Sequence, residues 1–211
     1  LPKAIMQRFS YEDISQFLPR YLSEDSSEVM KREIERFTKG EISHSLYTNR
    51  WLHEKTIYQG DALDEMLVIR LPAPQINPAK AIILSNTCDI DLNNQRLFDS
   101  MIVYAPILDL MKYEQALINN QVSASKVSGH LTAIRQQIIT QIFHLPAGGF
   151  LKNDGLVFLD HVCSCVNSSI DRSTITSKRL FTLSDFGHYL FLFKLSLHFT
   201  RLTSKVDRGH S

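Results

Sequence analysis

The stretch Ala79-Lys-Ala-Ile-Ile-Leu-Ser-Asn-Thr-Cys-Asp-Ile-Asp91 passes from a compact apolar run into a serine, an asparagine, a lone cysteine and two aspartates. Its first half is short, β-branched and closed by turn-forming side chains, which is the pattern of a β-strand leaving a sheet. The same pattern flanks it on both sides, in Met66-Leu-Val-Ile-Arg-Leu71 and Met101-Ile-Val-Tyr-Ala105. Pro72, Pro74 and Pro78 lie between the first two runs. Each lacks a backbone donor and fixes its own φ, so together they predict a loop there. Three short strands in succession predict a meander.

Helices are expected on either side. Ser10-Tyr-Glu-Asp13 places a capping hydroxyl three residues before a carboxylate, ahead of Ile14, Phe17 and Leu18, with Pro19 as a stop. Asp25-Ser-Ser-Glu28 repeats the arrangement before Met30, Ile34 and Phe37, and Gly40 stands where a C-cap glycine belongs. Residues 1–55 therefore read as an N-terminal helical region. A helical insert is expected over 109–150. It begins weakly between Leu108 and Asn119, and Val127, Leu131, Ile134, Ile138, Ile142 and Leu145 then predict one helix of about five turns. Its exposed face would carry Gln136, Gln137 and Gln141. Pro146 and Gly148-Gly149 end it, and Gly155-Leu-Val-Phe-Leu-Asp-His-Val162 reads as strand again. Ser184-Asp-Phe opens a last helix reaching about Leu202, apolar over most of its circumference, with Lys194, His198 and Arg201 as a narrow polar strip. Such a helix needs partners on more than one side, either the N-terminal helices or a second subunit.

At 211 residues and 44% hydrophobic, the chain supports one domain with a full core. A formal net charge of +1 leaves no global footprint for nucleic acid or membrane. The most apolar stretch, from Tyr189 to Leu197, falls far short of the roughly 20 residues that span a bilayer. The first residues show no charged region followed by an apolar core, and three cysteines fit a reducing interior, so a cytoplasmic setting is expected.

Gly60-Asp61, Ala79 through Ser85-Asn86, Val103-Tyr-Ala-Pro-Ile-Leu108, Leu156-Val-Phe-Leu-Asp-His-Val162, Arg179-Leu180 and Leu183-Ser184 occur in that order. The succession resembles the MazF/PemK/Kid group of small bacterial toxins. That group carries a Gly-Asp pair, an Arg-Pro-x segment running through aliphatics to Ser-Asn, a strand ending Val-x-Ala-Pro-Ile-Thr, a late strand, Arg-Leu, and a last helix opened by Leu-Ser. The resemblance implies an α+β fold, with an SH3-like barrel of five to seven short strands and the last helix over 56–108 and 151–203. It also implies a toxin-antitoxin or phage-defence context, an antitoxin-like or other defence-system protein partner, RNA as a second ligand, a homodimer, no membrane and no cofactor or metal.

Members of the group are understood to cleave RNA without metal, using the arginine of the Arg-Pro segment and the threonine after Ala-Pro-Ile. Here Ala79 and Leu108 stand at those positions. Neither can move a proton or donate to a developing phosphorane charge, and Lys80, one residue on, points to the other strand face. The expected function is therefore binding or regulation without ribonuclease chemistry. The alternative is a metal-independent, sequence-specific endoribonuclease whose groups have moved to Lys80, Arg96, His161 or Arg179. The expected binding groove comprises Lys80, Ser85, Asn86, Asp89, Arg96 and Arg179.

Other chemistries find thinner support. A nucleophilic Cys88 would need Arg96 or His161 folded over it, because its neighbours Asp89 and Asp91 oppose a thiolate; otherwise it is a turn residue. Cys88, His161, Cys163 and Cys165 are zinc-ligand types, yet on one strand positions 161 and 165 would stand roughly 13.5 Å apart. Asp89 and Asp91 with Asp99 or Asp109 could hold a divalent cation, but Asn93-Asn94 beside them reads as a turn. Arg172, Lys178 and Arg179, among Ser and Thr, offer a surface for phosphates.

Overall fold

The computed structural model describes residues 46–94 and 96–200. The two expected N-terminal helices and the part of the last helix expected beyond residue 200 lie outside them. Within them the expected meander is present: β2 (Ala62–Arg70), β3 (Gln75–Ile83) and β4 (Met101–Asp109) follow one another and pair antiparallel. The other strands are β1 (Tyr47–Thr48), β5 (Ile142–Leu145), β6 (Gly155–Phe158), β7 (Cys163–Val166) and β8 (Arg179–Leu183). They complete an eight-stranded sheet in the order β1-β8-β2-β3-β4-β6-β5, with β7 also on β4. The described helices are α1 (Leu110–Asn119), α2 (Ala124–Arg135), α3 (Ile175–Lys178) and α4 (Asp185–Thr200). The architecture is mixed α+β. No helix among the described residues is long and apolar enough to cross a membrane.

Alternation along the strands gives the sheet two apolar faces. One carries Ala62, Ile82, Ala105 and Phe181 against Phe186, Leu190, Phe191 and Phe193 of α4. The other gathers Leu63, Met66, Ala81, Ile83, Ile102 and Tyr104. Leu110, Val127, Leu131 and Ile134 pack the insert onto Ile142 and Leu156.

The sheet is open, its path ending at β1 and β5. The outer edge of β5 is occupied by a side chain: the His144 amide donates to Gln137 Oε1 (3.0 Å) and Gln137 Nε2 donates to the His144 carbonyl (2.6 Å). The chain after β5 nevertheless turns back onto the far end. The Tyr47 hydroxyl donates to the Pro146 carbonyl (2.6 Å), and the Phe150 amide to the Leu180 carbonyl (2.8 Å).

Several expectations are corrected. The helix expected over 127–145 ends at Arg135, and 142–145 is strand β5. Gln137 adopts φ +58°, its amide donates to Ile134 O, and the Ile138 amide donates to Ala133 O. Those bonds form a Schellman cap, which normally uses glycine and here uses a glutamine that the apolar periodicity hides. Gln137, expected on the exposed face, is 6% exposed, and Lys194, expected in the polar strip, is 2% exposed. The strand expected over 155–162 ends at Phe158, where the chain turns, and a separate strand, β7, begins only at Cys163. Pro78 belongs to β3, opposite Leu67. It is tolerated because the β3–β4 ladder covers only Ala81–Ile83, leaving Pro78 at an edge.

Candidate functional site

The short β3–β4 ladder opens a cleft. Beyond Ala81 the β2–β3 hairpin continues as a two-stranded arm, while Ile107, Leu108 and Asp109 of β4 pair with β6 instead. The gap has a volume of about 500 Å³ and is lined by Lys80 of β3, Ile107 and Leu108 of β4, Leu151, and Lys112, Tyr113 and Ala116 of α1. Lys152, Asn153 and Asp154 complete its rim. Lys80, Lys112 and Lys152 have no ion-pair partner among the described residues. The two carboxylates of the rim are already engaged. Asp109 caps α1 by accepting from the Met111 and Lys112 amides, and it accepts from Asn153 Nδ2 (2.8 Å). The Asn153 bond, with those amides, holds its carboxyl below the usual range. Asp154 accepts from the Ala147 amide (2.9 Å) and from His144 Nε2 (3.2 Å), with Arg135 Nε at 3.7 Å. Burial pushes Asp154 up, but these donors outweigh it and its carboxyl lies below the ordinary value. Burial lowers the His144 imidazole.

The arm extends this surface. Leu67 pairs with Pro78 and Ile69 with Ile76, and alternation puts all four on the same sheet face as Lys80. Leu67, Ile69 and Ile76 are 56%, 49% and 61% exposed, while Met66 and Val68 on the opposite face are buried. An apolar strip therefore runs from the arm to the cationic cleft.

The six residues expected to form one groove are dispersed. Lys80 lines the cleft. Ser85, Asn86, Asp89 and Arg96 lie at the opposite ends of β3 and β4, in the connecting loop. Ser85 Oγ accepts from the Val103 amide (2.8 Å), Asn86 accepts from the Cys88 amide (2.9 Å) to cap a 3₁₀ turn, and Arg96 pairs with Asp89 (2.6 Å). Arg179 is buried in the core, 1% exposed. Cys88 is exposed; the guanidinium of Arg96 is taken by Asp89, and His161 packs against Phe158 at a centroid distance of 4.8 Å. Cys163 and Cys165 sit half-buried against the second core face. Among the described residues no three His, Cys, Asp or Glu side chains converge on a possible metal position. Asp91 caps its own turn, accepting from the Asn93 amide (2.9 Å). In the basic run, Arg172 donates to the Ile170 carbonyl (3.0 Å) and to Asn167, and Lys178 pairs with Glu65 (3.0 Å).

The Gly-Asp, Arg-Leu and Leu-Ser segments meet in the core. Both Nε and a terminal nitrogen of Arg179 lie 3.1 Å from Asp61 Oδ2. The guanidinium also donates to the carbonyls of Trp51 (2.6 Å), Leu52 (3.3 Å), Glu54 (2.6 Å) and Thr56. Burial pushes the Asp61 carboxyl up to about 6, against the pull of Arg179 and the Tyr58 amide. Gly60 has φ +86°, and a Cβ there would stand 2.6 Å from Leu183 Cδ1. Ser184 Oγ accepts from the Gly187 amide (3.1 Å) at the start of α4. These segments hold the fold together; none of them reaches the cleft. No local motif marks Lys112, Lys152, Asn153 or Asp154 in the sequence, and Asp109, weighed there as a cation ligand, is the cap of α1. Neither family models nor curated proteins give a match to this chain.

Proposed function

We propose that this chain is a MazF-like, SH3-like-barrel binding component of a bacterial toxin-antitoxin or phage-defence system. It holds an acidic, apolar-bearing segment of a protein partner along the arm and in the cleft, and it does not cleave RNA. The observation that carries this reading is the exposed strip of Leu67, Ile69 and Ile76 running into a cleft rimmed by three lysines that have no ion-pair partner among the described residues. Extended polypeptide with carboxylates and alternating apolar side chains matches both halves of that surface. RNA matches the lysines and leaves the apolar strip uncovered. Leu108, at the position where the resembled toxins carry threonine, lines the cleft and has no proton to give. The return of residues 146–151 onto β1 and β8 supports the barrel reading, and the apolar breadth of α4 supports a homodimer.

The test is fluorescence anisotropy, in EDTA, with a synthetic peptide alternating Glu and Leu and with a single-stranded RNA. The peptide is expected to bind, and to be lost both by the triple change Lys80→Ala, Lys112→Ala, Lys152→Ala and by Leu67→Ser with Ile76→Ser. RNA bound more tightly than peptide, with a log–log salt slope of about −2 for three phosphate contacts, would establish the RNA reading instead. RNA cut in EDTA would establish the endoribonuclease.

A further inference from the structure

We infer that Gln137 and Lys194 form a latch that positions the cleft wall from the far side of the insert; as a claim about affinity this rests on the binding reading above. Gln137 stands at φ +58°, where glycine is the unstrained choice, and is buried. A side chain kept at such a position calls for a reason, and its contacts supply one. The amide pairs with both backbone groups of His144, occupying the edge of β5 as a neighbouring strand would. The backbone carbonyl of Gln137 accepts from Lys194 Nζ of α4 (2.8 Å), which also donates to the Ile139 carbonyl (2.5 Å). Every polar group of Gln137 is therefore used, and the turn between α2 and β5 is fixed to the last helix.

The path from this turn to the cleft is continuous. The His144 imidazole, carried by the backbone that Gln137 holds, donates to Asp154 Oδ2. The Asp154 carbonyl accepts from the Leu110 amide (2.9 Å), and the adjacent Asn153 bonds to Asp109, the cap of the helix that bears Lys112. Neither Gln137 nor Lys194 lines the cleft. They act through His144 and Asp154 and are positioning residues.

The experiment compares the 211-residue chain with Gln137→Gly, Gln137→Asn and Lys194→Met. Gln137→Gly relieves the backbone strain but removes both hydrogen bonds to His144, so a lower melting temperature is expected and the readouts are taken well below it, where the variant is folded. The latch predicts, in Gln137→Gly and Lys194→Met, faster hydrogen exchange at the His144 amide and a shifted titration of the His144 imidazole, whose charged neighbours are Asp154 and Arg135, followed by NMR. Affinity for the Glu-Leu peptide should fall about three- to tenfold, the worth of one hydrogen bond. Gln137→Asn, with an amide one methylene too short, should not rescue either readout. An unchanged His144 exchange rate and titration in Gln137→Gly would overturn the latch. Altered His144 with unchanged peptide affinity would overturn its link to the cleft. If the parent chain fails to bind the peptide, the binding reading falls, and the His144 readouts alone still decide whether the latch exists.

Discussion

Arg179→Lys tests the buried ion pair at the centre of the fold. The substitution keeps the positive charge and most of the length, so a purely Coulombic role would survive it. The guanidinium, however, serves five acceptor groups: Asp61 and the carbonyls of Trp51, Leu52, Glu54 and Thr56. An ammonium has three donors, so at least two acceptors lose their partner. Each acceptor left unsatisfied costs about 1–3 kcal/mol, which places the destabilisation at roughly 2–6 kcal/mol. Against a total stability of about 5–15 kcal/mol that is a large fraction. In a chain of this size it corresponds to a melting temperature lowered by roughly 4–24 °C. Urea unfolding followed by circular dichroism measures it directly, with an unchanged m-value showing that the same surface is exposed. The carbonyls belong to the segment 51–56, so its amides should also exchange faster. Arg179→Lys within about 0.5 kcal/mol of the parent would refute the reasoning, because mutations without a structural cost fall in that range.

Burial pulls the Lys194 ammonium down to about 7 from 10.5. The folded chain then holds that proton more weakly than the unfolded one, so stability should rise with pH from about 7 to about 10 and be lost as pH falls back toward 7. The two carbonyl acceptors of Lys194 favour its charged form and keep the rise below about 4 kcal/mol; in Lys194→Met the rise should vanish, and its persistence in denaturation curves would assign it to another group. Gly187→Ala and Gly60→Ala should differ in cost. A Cβ at Gly187 meets the Leu46 carbonyl oxygen at 2.2 Å, a backbone atom that cannot rotate away, and should cost about 3 kcal/mol. At Gly60 the clash is with the end of a rotatable leucine, so the left-handed φ dominates at about 1–2 kcal/mol; thermal melts giving the reverse order would contradict this packing.

Local pattern accounts for much of what the chain shows. Short apolar runs punctuated by proline, asparagine and aspartate identify β2, β3 and β4 and their meander. The weak helix after Leu108 is present as α1, opened by the Asp109 cap. The apolar run after Ser184 is α4, running to Thr200. Those features depend on neighbours in sequence, where propensity, capping and period act directly. The opening stretch is strand to Ile83 and turn from Thr87, and its cysteine and aspartates serve that turn and its surface.

The cleft was not legible, because it exists where β3 parts from β4 and where α1 and residues 151–155 happen to close the gap. Lys80, Lys112 and Lys152 are scattered over more than seventy positions, and only the register of three strands brings them to one rim. Two residues mark the boundary most clearly. Gln137 and Lys194 each look like surface side chains when judged by the period of their own helix. The fold ends one helix early with a left-handed turn, carries that turn under α4, and makes the lysine and the glutamine each other's partner. Periodicity reports which face of an element is apolar; only the tertiary structure decides which polar groups must be buried to satisfy one another.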